Sequence, residues 1–115
     1  PQYKQRFLVK IGDNMTSVPV EDILFFWSEN KIVFLRHTNG KKYITDFTLE
    51  QLENVLNPQQ FFRINRQFLL SLAAIKQLTA HSNSRLKVFL HYPPDENEVI
   101  VARERVESFK NWLDK

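Results

Sequence analysis

The chain has 115 residues, 43% hydrophobic and 13% aromatic, which is enough for one domain with its own core and excludes an intrinsically disordered segment. It contains no cysteine, which excludes disulfides, thiolate metal sites and a cysteine nucleophile. A net charge of +3 is only a mild indication of an anionic partner, and no apolar run approaches the roughly 18 residues that cross a bilayer. Because the chain begins at Pro1 without an initiator Met, we expect residues 1–115 to be a single domain excised from a larger protein.

Acidic and basic residues are separated along the chain. No Asp or Glu occurs between Glu53 and Asp95, an interval that holds Arg63, Arg66, Lys76, Arg85 and Lys87. A second acid-free run, residues 30–45, holds Lys31, Arg36, Lys41 and Lys42. This separation would give one positive face able to neutralise phosphates. The alternative is a solvated surface on which the charges mix again after folding.

The first predicted elements, in chain order, are strands. Residues 6–11 alternate, with Phe7, Val9 and Ile11 on one face, and a turn follows at residues 12–14. After an extended segment at 17–20 and a helical turn at 21–22, residues 23–28 form a nearly continuous apolar run, typical of a strand buried on both faces. Trp27 alternates out of phase with Phe26, so its side chain is predicted to be half exposed.

A hairpin is predicted next. Glu29-Asn30 makes a tight connection to a strand at residues 31–37. Asn39-Gly40 favours the positive φ angles of a type I′ turn, so residues 41–45 should pair back on residues 33–37.

An internal helix follows. Thr48 is a predicted N-cap, and Gln51 three residues later completes a capping box. Leu49, Leu52, Val55 and Leu56 lie on one stripe, and Asn57-Pro58 ends the helix.

The segment FFRINRQFLLSL at residues 61–72 places two arginines and an asparagine between large apolar residues. Neither face of an extended strand would be apolar here, which predicts a short strand that breaks into a polar loop at residues 65–67. Such an anchored loop would present Arg, Asn and Gln outward, as contacts to bases or phosphates require. The alternative is an arginine satisfied by backbone carbonyls.

The predicted fold class is mainly β with one internal helix and one C-terminal helix. The remaining elements are a helical turn at 71–74, strands at 75–80, 86–91 and 98–101, and a closing helix at 103–115.

These elements, in this order, resemble the LytTR DNA-binding domain of the LytR/AlgR family of bacterial transcription regulators. The resemblance covers nearly the whole chain and is carried by FLVK, VPVEDILFFWSENKIVFLRHTNGKKY, TLEQLENVL, NPQQFFRINRQFLLSLAAI and VIVARERVESFKNWL. Its most specific part is FFRINRQFLL. It implies an elongated β-sheet fold without a helix-turn-helix, whose loops enter successive major grooves of DNA.

The resemblance also implies three groups of contact residues. They are Asn30 and Lys31 in the first turn, Asn65 and Arg66 in the arginine segment, and Arg103 at the start of the closing helix. We add their neighbours Arg63 and Arg105 as further candidate DNA-binding residues. Three positions depart from the family pattern: Asn65 replaces a common His, Ser71 a common Asn, and Ala102 the usual Ser. The last change removes a good N-cap, a loss of about 1 kcal/mol.

Each contact residue has a plain structural alternative. The Arg66 guanidinium has the geometry to contact guanine or a phosphate. The alternative is a surface ion pair, although no acid lies near Arg66 in sequence. Asn65 would either contact adenine or serve only to adopt a left-handed backbone angle in the loop. Arg63 would either contact DNA or brace the loop. The positive charge of Arg103 is unfavourable at the start of a helix, and a contact with a phosphate or base would explain its presence there. The alternative is an ion pair with Glu107.

The partner implied by the resemblance is double-stranded DNA carrying imperfect direct repeats, bound by two copies of a domain that is monomeric off DNA. A receiver or membrane sensor domain is expected elsewhere in a cytoplasmic or membrane-anchored parent protein, with this domain at its C-terminal end. The spacing of His37, His81 and His91 predicts no metal site, and we find no catalytic motif or cofactor motif, so no enzyme is expected. Two alternatives are a single-stranded nucleic-acid module that stacks bases on Phe25, Phe26, Phe61, Phe62, Phe68 and Phe89, and a protein-interaction module.

Overall fold

The computed structural model describes residues 2–95 and 98–115, and in this part of the chain ten strands and two α-helices form. The strands are β1 Arg6–Ile11, β2 Asn14–Pro19, β3 Ile23–Glu29, β4 Ile32–His37, β5 Lys42–Thr45, β6 Phe61–Arg63, β7 Phe68–Ser71, β8 Ile75–His81, β9 Arg85–Leu90 and β10 Ile100–Val101. The helices are α1 Leu49–Val55 and α2 Val106–Leu113, and short 3-10 turns occur at Val20–Asp22, Leu72–Ala74 and Arg103–Arg105.

All strand pairs are antiparallel and fall into three sheets. The central sheet has the order β5-β4-β3-β7-β6, and it lies between a β1-β2 ribbon and a β10-β9-β8 sheet. The molecule measures 45 × 35 × 23 Å, so it is elongated. Strands β6 to β10 separate the two helices along the chain, so these helices do not form a helix-turn-helix. The predicted fold class is confirmed.

Strand β3 is buried on both faces. Phe26 packs in one core, which the β1-β2 ribbon and α1 cover. Phe25 and Trp27 pack in a second core with residues of β8, β9 and α2. The prediction that Trp27 is half exposed is wrong: it is 1% exposed, and its indole N–H donates to Glu29 Oε1 at 3.0 Å. Alternation along a strand indicates exposure only when one face of the sheet meets water.

A two-residue turn joins β3 to β4. Glu29 pairs with Ile32, and the two residues between them, Asn30 and Lys31, have φ angles of 50° and 67°. Positive φ at both central positions is the signature of a type I′ turn. The connection therefore lies one residue later than predicted.

The type I′ turn predicted at Asn39-Gly40 is wrong, although β4 pairs with β5 as predicted. Gly40 alone has a positive φ, of 89°, and three residues separate His37 from Lys41, whose carbonyl accepts the His37 N–H at 2.8 Å. The Asn39 side chain closes this wider loop by accepting the Lys41 N–H at 2.8 Å. Glycine at the left-handed position is typical of three-residue hairpin loops.

Helix α1 begins with the predicted capping box. Thr48 Oγ1 accepts the Gln51 N–H at 3.1 Å, and Gln51 Oε1 accepts the Thr48 N–H at 2.9 Å. Two backbone donors that the helix leaves unpaired are thereby satisfied. The helix buries Leu49 and Leu52 in the first core.

The closing helix begins differently from the prediction. A 3-10 turn covers Arg103–Arg105, and the α-helix begins only at Val106. Ala102 provides no side-chain cap, in accord with its lack of a hydroxyl, and its N–H donates to Ile64 O at 2.9 Å. The last strand covers Ile100–Val101 and is shorter than the predicted 98–101.

Removing the Thr48 hydroxyl should destabilise the fold. Thr48→Ala is expected to lower the free energy of unfolding by about 1 kcal/mol, because the Gln51 N–H loses its acceptor. Thr48→Ser keeps the hydroxyl and serves as the matched control, with a value close to wild type. Urea denaturation measures both, and equal losses in the two variants would contradict the role of the cap.

Candidate nucleic-acid interface

The segment between β6 and β7 is a tight hairpin whose ends are anchored in the core. Ile64 is 0% exposed and Phe68 is 1% exposed, and the Ile64 N–H donates to Phe68 O at 3.1 Å. Between them, Arg66 and Gln67 are exposed and Asn65 is half-buried. The predicted break of the strand into a polar loop is confirmed.

Arg63 holds this loop from the end of β6. Its Nε donates to Asn65 O at 2.8 Å and its Nη2 donates to Arg66 O at 2.7 Å. Its Nη1 forms an ion pair with Glu53 Oε1 at 2.9 Å. A planar guanidinium presents its N–H donors in a rigid fork, which suits two carbonyls and a carboxylate held in fixed positions. Arg63 therefore braces the loop, as one of its two interpretations held.

Glu53 is a functional residue that sequence reasoning missed. It lies on α1, ten residues before its partner Arg63. One signal was available, since Glu53 is the last acid before the acid-free interval that contains the loop. The sequence offered no reason to choose Glu53 over Glu50, because the orientation of α1 toward the loop depends on tertiary packing.

Asn65 also holds the loop, through both ends of its amide. Oδ1 accepts the N–H groups of Gln67 at 2.7 Å and of Phe68 at 2.9 Å, which forms an Asx turn. Nδ2 donates to Ile100 O at 2.7 Å and so ties the loop to β10. Asn65 does not have a positive φ angle, so the interpretation that it adopts a left-handed backbone angle is wrong.

Arg66 differs from these two residues. Its side chain is exposed, and within residues 2–95 and 98–115 it makes no hydrogen bond or ion pair. Its backbone carbonyl is held by Arg63 at 2.7 Å. The loop thus presents a free guanidinium from a backbone whose position is restrained.

The three groups of predicted contact residues lie along one edge of the molecule. The Ser28 N–H, next to the Asn30-Lys31 turn, donates to Gln67 O at 3.0 Å. On the other side of the loop, the Ala102 N–H donates to Ile64 O at 2.9 Å. We call the set of residues 30–31, 64–67 and 102–105 the loop edge. The Ala102 bond joins the third part directly to the middle one, and the Ser28 bond brings the strand end that carries the Asn30-Lys31 turn beside it.

The arginines of the last part have different roles. Arg105 is exposed, and its Nη1 donates to Arg63 O at 3.0 Å, which adds a further restraint on β6. Arg103 is exposed. The ion pairs within the described residues are Arg63–Glu53 and Lys87–Glu98, so Arg103 does not pair with Glu107 there. The alternative reading of Arg103 as the partner of Glu107 is therefore wrong.

Arg36 does not belong to the positive surface. Its guanidinium lies over the Trp27 ring, 4.8 Å from the centroid, and its Nη1 donates to Gly40 O at 3.2 Å. Burial lowers the pKa of Arg36, while the negative charges of Asp95 and Glu29 oppose that shift. Of the basic residues in the second acid-free run, Arg36 therefore contributes to packing. The other three, Lys31, Lys41 and Lys42, are exposed.

The phenylalanines do not form a stacking platform. Phe25, Phe26, Phe61 and Phe68 are buried, and Phe62 packs against Phe109 and Trp112 with centroids 5.3 and 5.5 Å away. Of the six candidates, Phe89 alone is exposed, at 38%. The structure contradicts base stacking on the other five.

No group of three or more His, Asp or Glu side chains in residues 2–95 and 98–115 is placed to hold a metal ion. In the same residues, neither helix has the length and apolar character needed to cross a membrane.

The amide of Asn65 should contribute to stability. Asn65→Ala is expected to lower the free energy of unfolding by about 1–3 kcal/mol, because two loop N–H groups and the Ile100 carbonyl lose their partner. Gln67→Ala, at an exposed neighbouring amide, is the matched control and should change stability by less than roughly 0.5 kcal/mol. Urea denaturation measures the free energy of unfolding of both variants. A loss of stability in Asn65→Ala no greater than in Gln67→Ala would show that the Asn65 amide does not hold the loop.

Comparison with known proteins identifies a family. Residues 13–114 match the model of the LytTr DNA-binding domain. The transcriptional regulatory protein LytR of Staphylococcus aureus is 30% identical over 88 residues, 76% of this chain and 35% of that protein. The transcriptional regulatory protein YpdB of Escherichia coli is 26% identical over 106 residues, 92% of this chain and 42% of that protein. This chain thus spans less than half the length of these relatives.

A solved structure shares the fold. The LytTr DNA-binding domain of a putative methyl-accepting/DNA response regulator from Bacillus cereus superposes with a TM-score of 0.82 at 18% identity, over 97% of this chain and 99% of that one. At this identity the likeness concerns the fold alone. The match over residues 13–114 shows more: the chain belongs to the LytTR family of DNA-binding domains, which occur in bacterial transcription regulators.

Proposed function

We propose that this chain binds double-stranded DNA in a sequence-specific manner, with the loop edge inserted into the major groove, as the C-terminal output domain of a larger regulator. One observation carries the proposal. The hairpin at residues 64–67 presents the free guanidinium of Arg66 while Arg63 and Asn65 restrain its backbone. A loop whose backbone is already restrained loses little freedom on binding, and this favours specific contacts.

The residues of the loop have separate roles in this proposal. Arg66 donates to guanine O6 and N7, the commonest specific contact of arginine in the major groove. Asn65 uses Oδ1 for two loop N–H groups, which leaves no acceptor for a bidentate contact to adenine. Asn65 therefore acts chiefly by positioning Arg66, and its remaining amide hydrogen is its direct contribution to the interface. Arg63 positions the same loop.

The two ends of the loop edge contact the DNA on either side of this hairpin. The type I′ turn places Asn30 and Lys31 outward at the end of the β3-β4 hairpin, where Lys31 neutralises a phosphate. Arg103, exposed and without an ion pair among the described residues, contacts a phosphate or base at the other end. Arg105 supports the loop through Arg63 O, and its other N–H groups contact the DNA backbone.

The proposal also includes the number of copies on DNA and the place of this domain in a larger protein. Residues 1–115 form one domain, monomeric off DNA, of which two copies occupy imperfect direct repeats. The relatives are more than twice as long as the matched region, which leaves room for a receiver or membrane sensor domain in the parent protein. A regulator that binds the bacterial chromosome works in the cytoplasm, so this localisation belongs to the proposal.

Arg66→Ala should reduce both affinity and discrimination. We expect a loss of about 1–3 kcal/mol on a duplex selected from a random pool, with relaxed preference at one base position. Lys31→Ala, which removes a phosphate contact, should weaken binding to selected and scrambled duplexes alike and lower the salt slope by about one. Fluorescence anisotropy at two salt concentrations measures both effects.

Two results would contradict the proposal. Arg66→Ala binding selected and scrambled duplexes with wild-type strength would remove Arg66 from the interface. A pool from which no motif is enriched, with weak binding that salt abolishes equally for every duplex, would leave only generic charge attraction.

A further inference from the structure

The tip of the β8-β9 hairpin, residues 82–84, lies next to the loop edge. In the pairing of β10 with β9, Val101 is opposite Leu86. The next residues beyond this pair are Ala102 and Arg85, so Arg85 lies beside the start of the closing 3-10 turn. Since the Ala102 N–H is bonded to Ile64 O, the hairpin tip continues the loop edge on the side away from Lys31.

The Arg85 guanidinium is held on one side and free on the other. Nε donates to Ser82 O at 3.1 Å and Nη2 donates to Ser82 Oγ at 3.3 Å. These bonds use one N–H of each nitrogen, so both hydrogens of Nη1 and the outer hydrogen of Nη2 remain. Two parallel N–H groups at the end of a guanidinium match two oxygens of one phosphate. The tip is a tight turn, with φ angles of 60° and 61° at Asn83 and Ser84. Residues 82–84 are exposed, and Arg85 beside them is half-buried.

Charge balance distinguishes Arg85 from the other basic residue of β9. Lys87 is paired with Glu98 at 3.2 Å, and its Nζ also lies 5.1 Å from the centre of the Phe89 ring. Arg85 forms no ion pair within residues 2–95 and 98–115, and residues 54–94 contain no acid. Among the described residues, no ion pair therefore compensates the positive charge of Arg85 at the end of the loop edge.

We propose that Arg85 binds a phosphate of the duplex that occupies the loop edge, which adds a fourth contact to the three groups described above. This inference rests on the proposed function. A phosphate contact at the end of the edge sets the orientation of the domain on DNA without reading a base. The tether to Ser82 reduces the side-chain freedom that binding would remove.

The salt dependence of binding tests this contact. Wild type, Arg85→Ala and Arg85→Lys are compared by anisotropy on a selected duplex and a scrambled duplex between about 50 and 200 mM salt. Each neutralised phosphate contributes about −0.9 to the slope of log K against log salt. Arg85→Ala should therefore lower the magnitude of the slope by about 0.9 on both duplexes, and Arg85→Lys should restore most of it.

Lys76→Ala is the matched control. Lys76 is exposed on the same hairpin, near the start of β8 and far from the tip, so its removal should leave the wild-type slope. Thermal unfolding of all variants shows whether the hairpin survives the substitutions. Restoration by Arg85→Lys separates charge from hairpin integrity, since lysine keeps the charge and loses the Ser82 tether.

Three outcomes would overturn the inference while the proposed function stands: a wild-type slope in Arg85→Ala, a loss confined to the selected duplex, or an equal slope loss in Arg85→Lys. Failure of the proposed function appears in the wild type instead. Equal wild-type affinity for both duplexes would exclude sequence-specific binding. The salt slope of Arg85→Ala would then still show whether Arg85 contacts a phosphate. Absence of any wild-type binding to duplex would overturn both.

Discussion

Strand β3 packs against a hydrophobic core on each of its two faces, and the position of the loop edge depends on this. Phe26 contributes to one core and Phe25 and Trp27 to the other. A strand restrained on both faces cannot tilt or slip without opening a core. Its hydrogen-bonded neighbours β4 and β7 therefore keep a defined register, and the Asn30-Lys31 turn and the residue 64–67 hairpin end up side by side.

The basic residues near the loop edge divide into those that hold the structure and those that are free to bind. Arg63 uses its guanidinium donors on two backbone carbonyls and on Glu53, and Arg36 is stacked on Trp27. Arg105 uses only Nη1, which donates to Arg63 O. Arg66 and Arg103 make no such bonds within the described residues.

Local signals in the sequence predicted what local physics determines. The Thr48 capping box needs only Gln51 three residues on, and the break near Asn65 follows from polar residues between buried aromatics. The role of Asn65 depends on Ile100, 35 residues away, and no local pattern encodes that contact. The burial of Trp27 likewise depends on the second core, which assembles from distant strands and the closing helix.

The most direct test of this account is an NMR titration of the isotopically labelled chain with a selected duplex. Amide shifts are expected to concentrate at residues 30–31, 64–67 and 102–105, with further shifts at the 82–85 hairpin tip. The β1-β2 ribbon and the outer face of α1 should remain unchanged, because they lie on the other side of the central sheet. Shifts centred on that ribbon or on α1, with an unperturbed loop edge, would contradict the account.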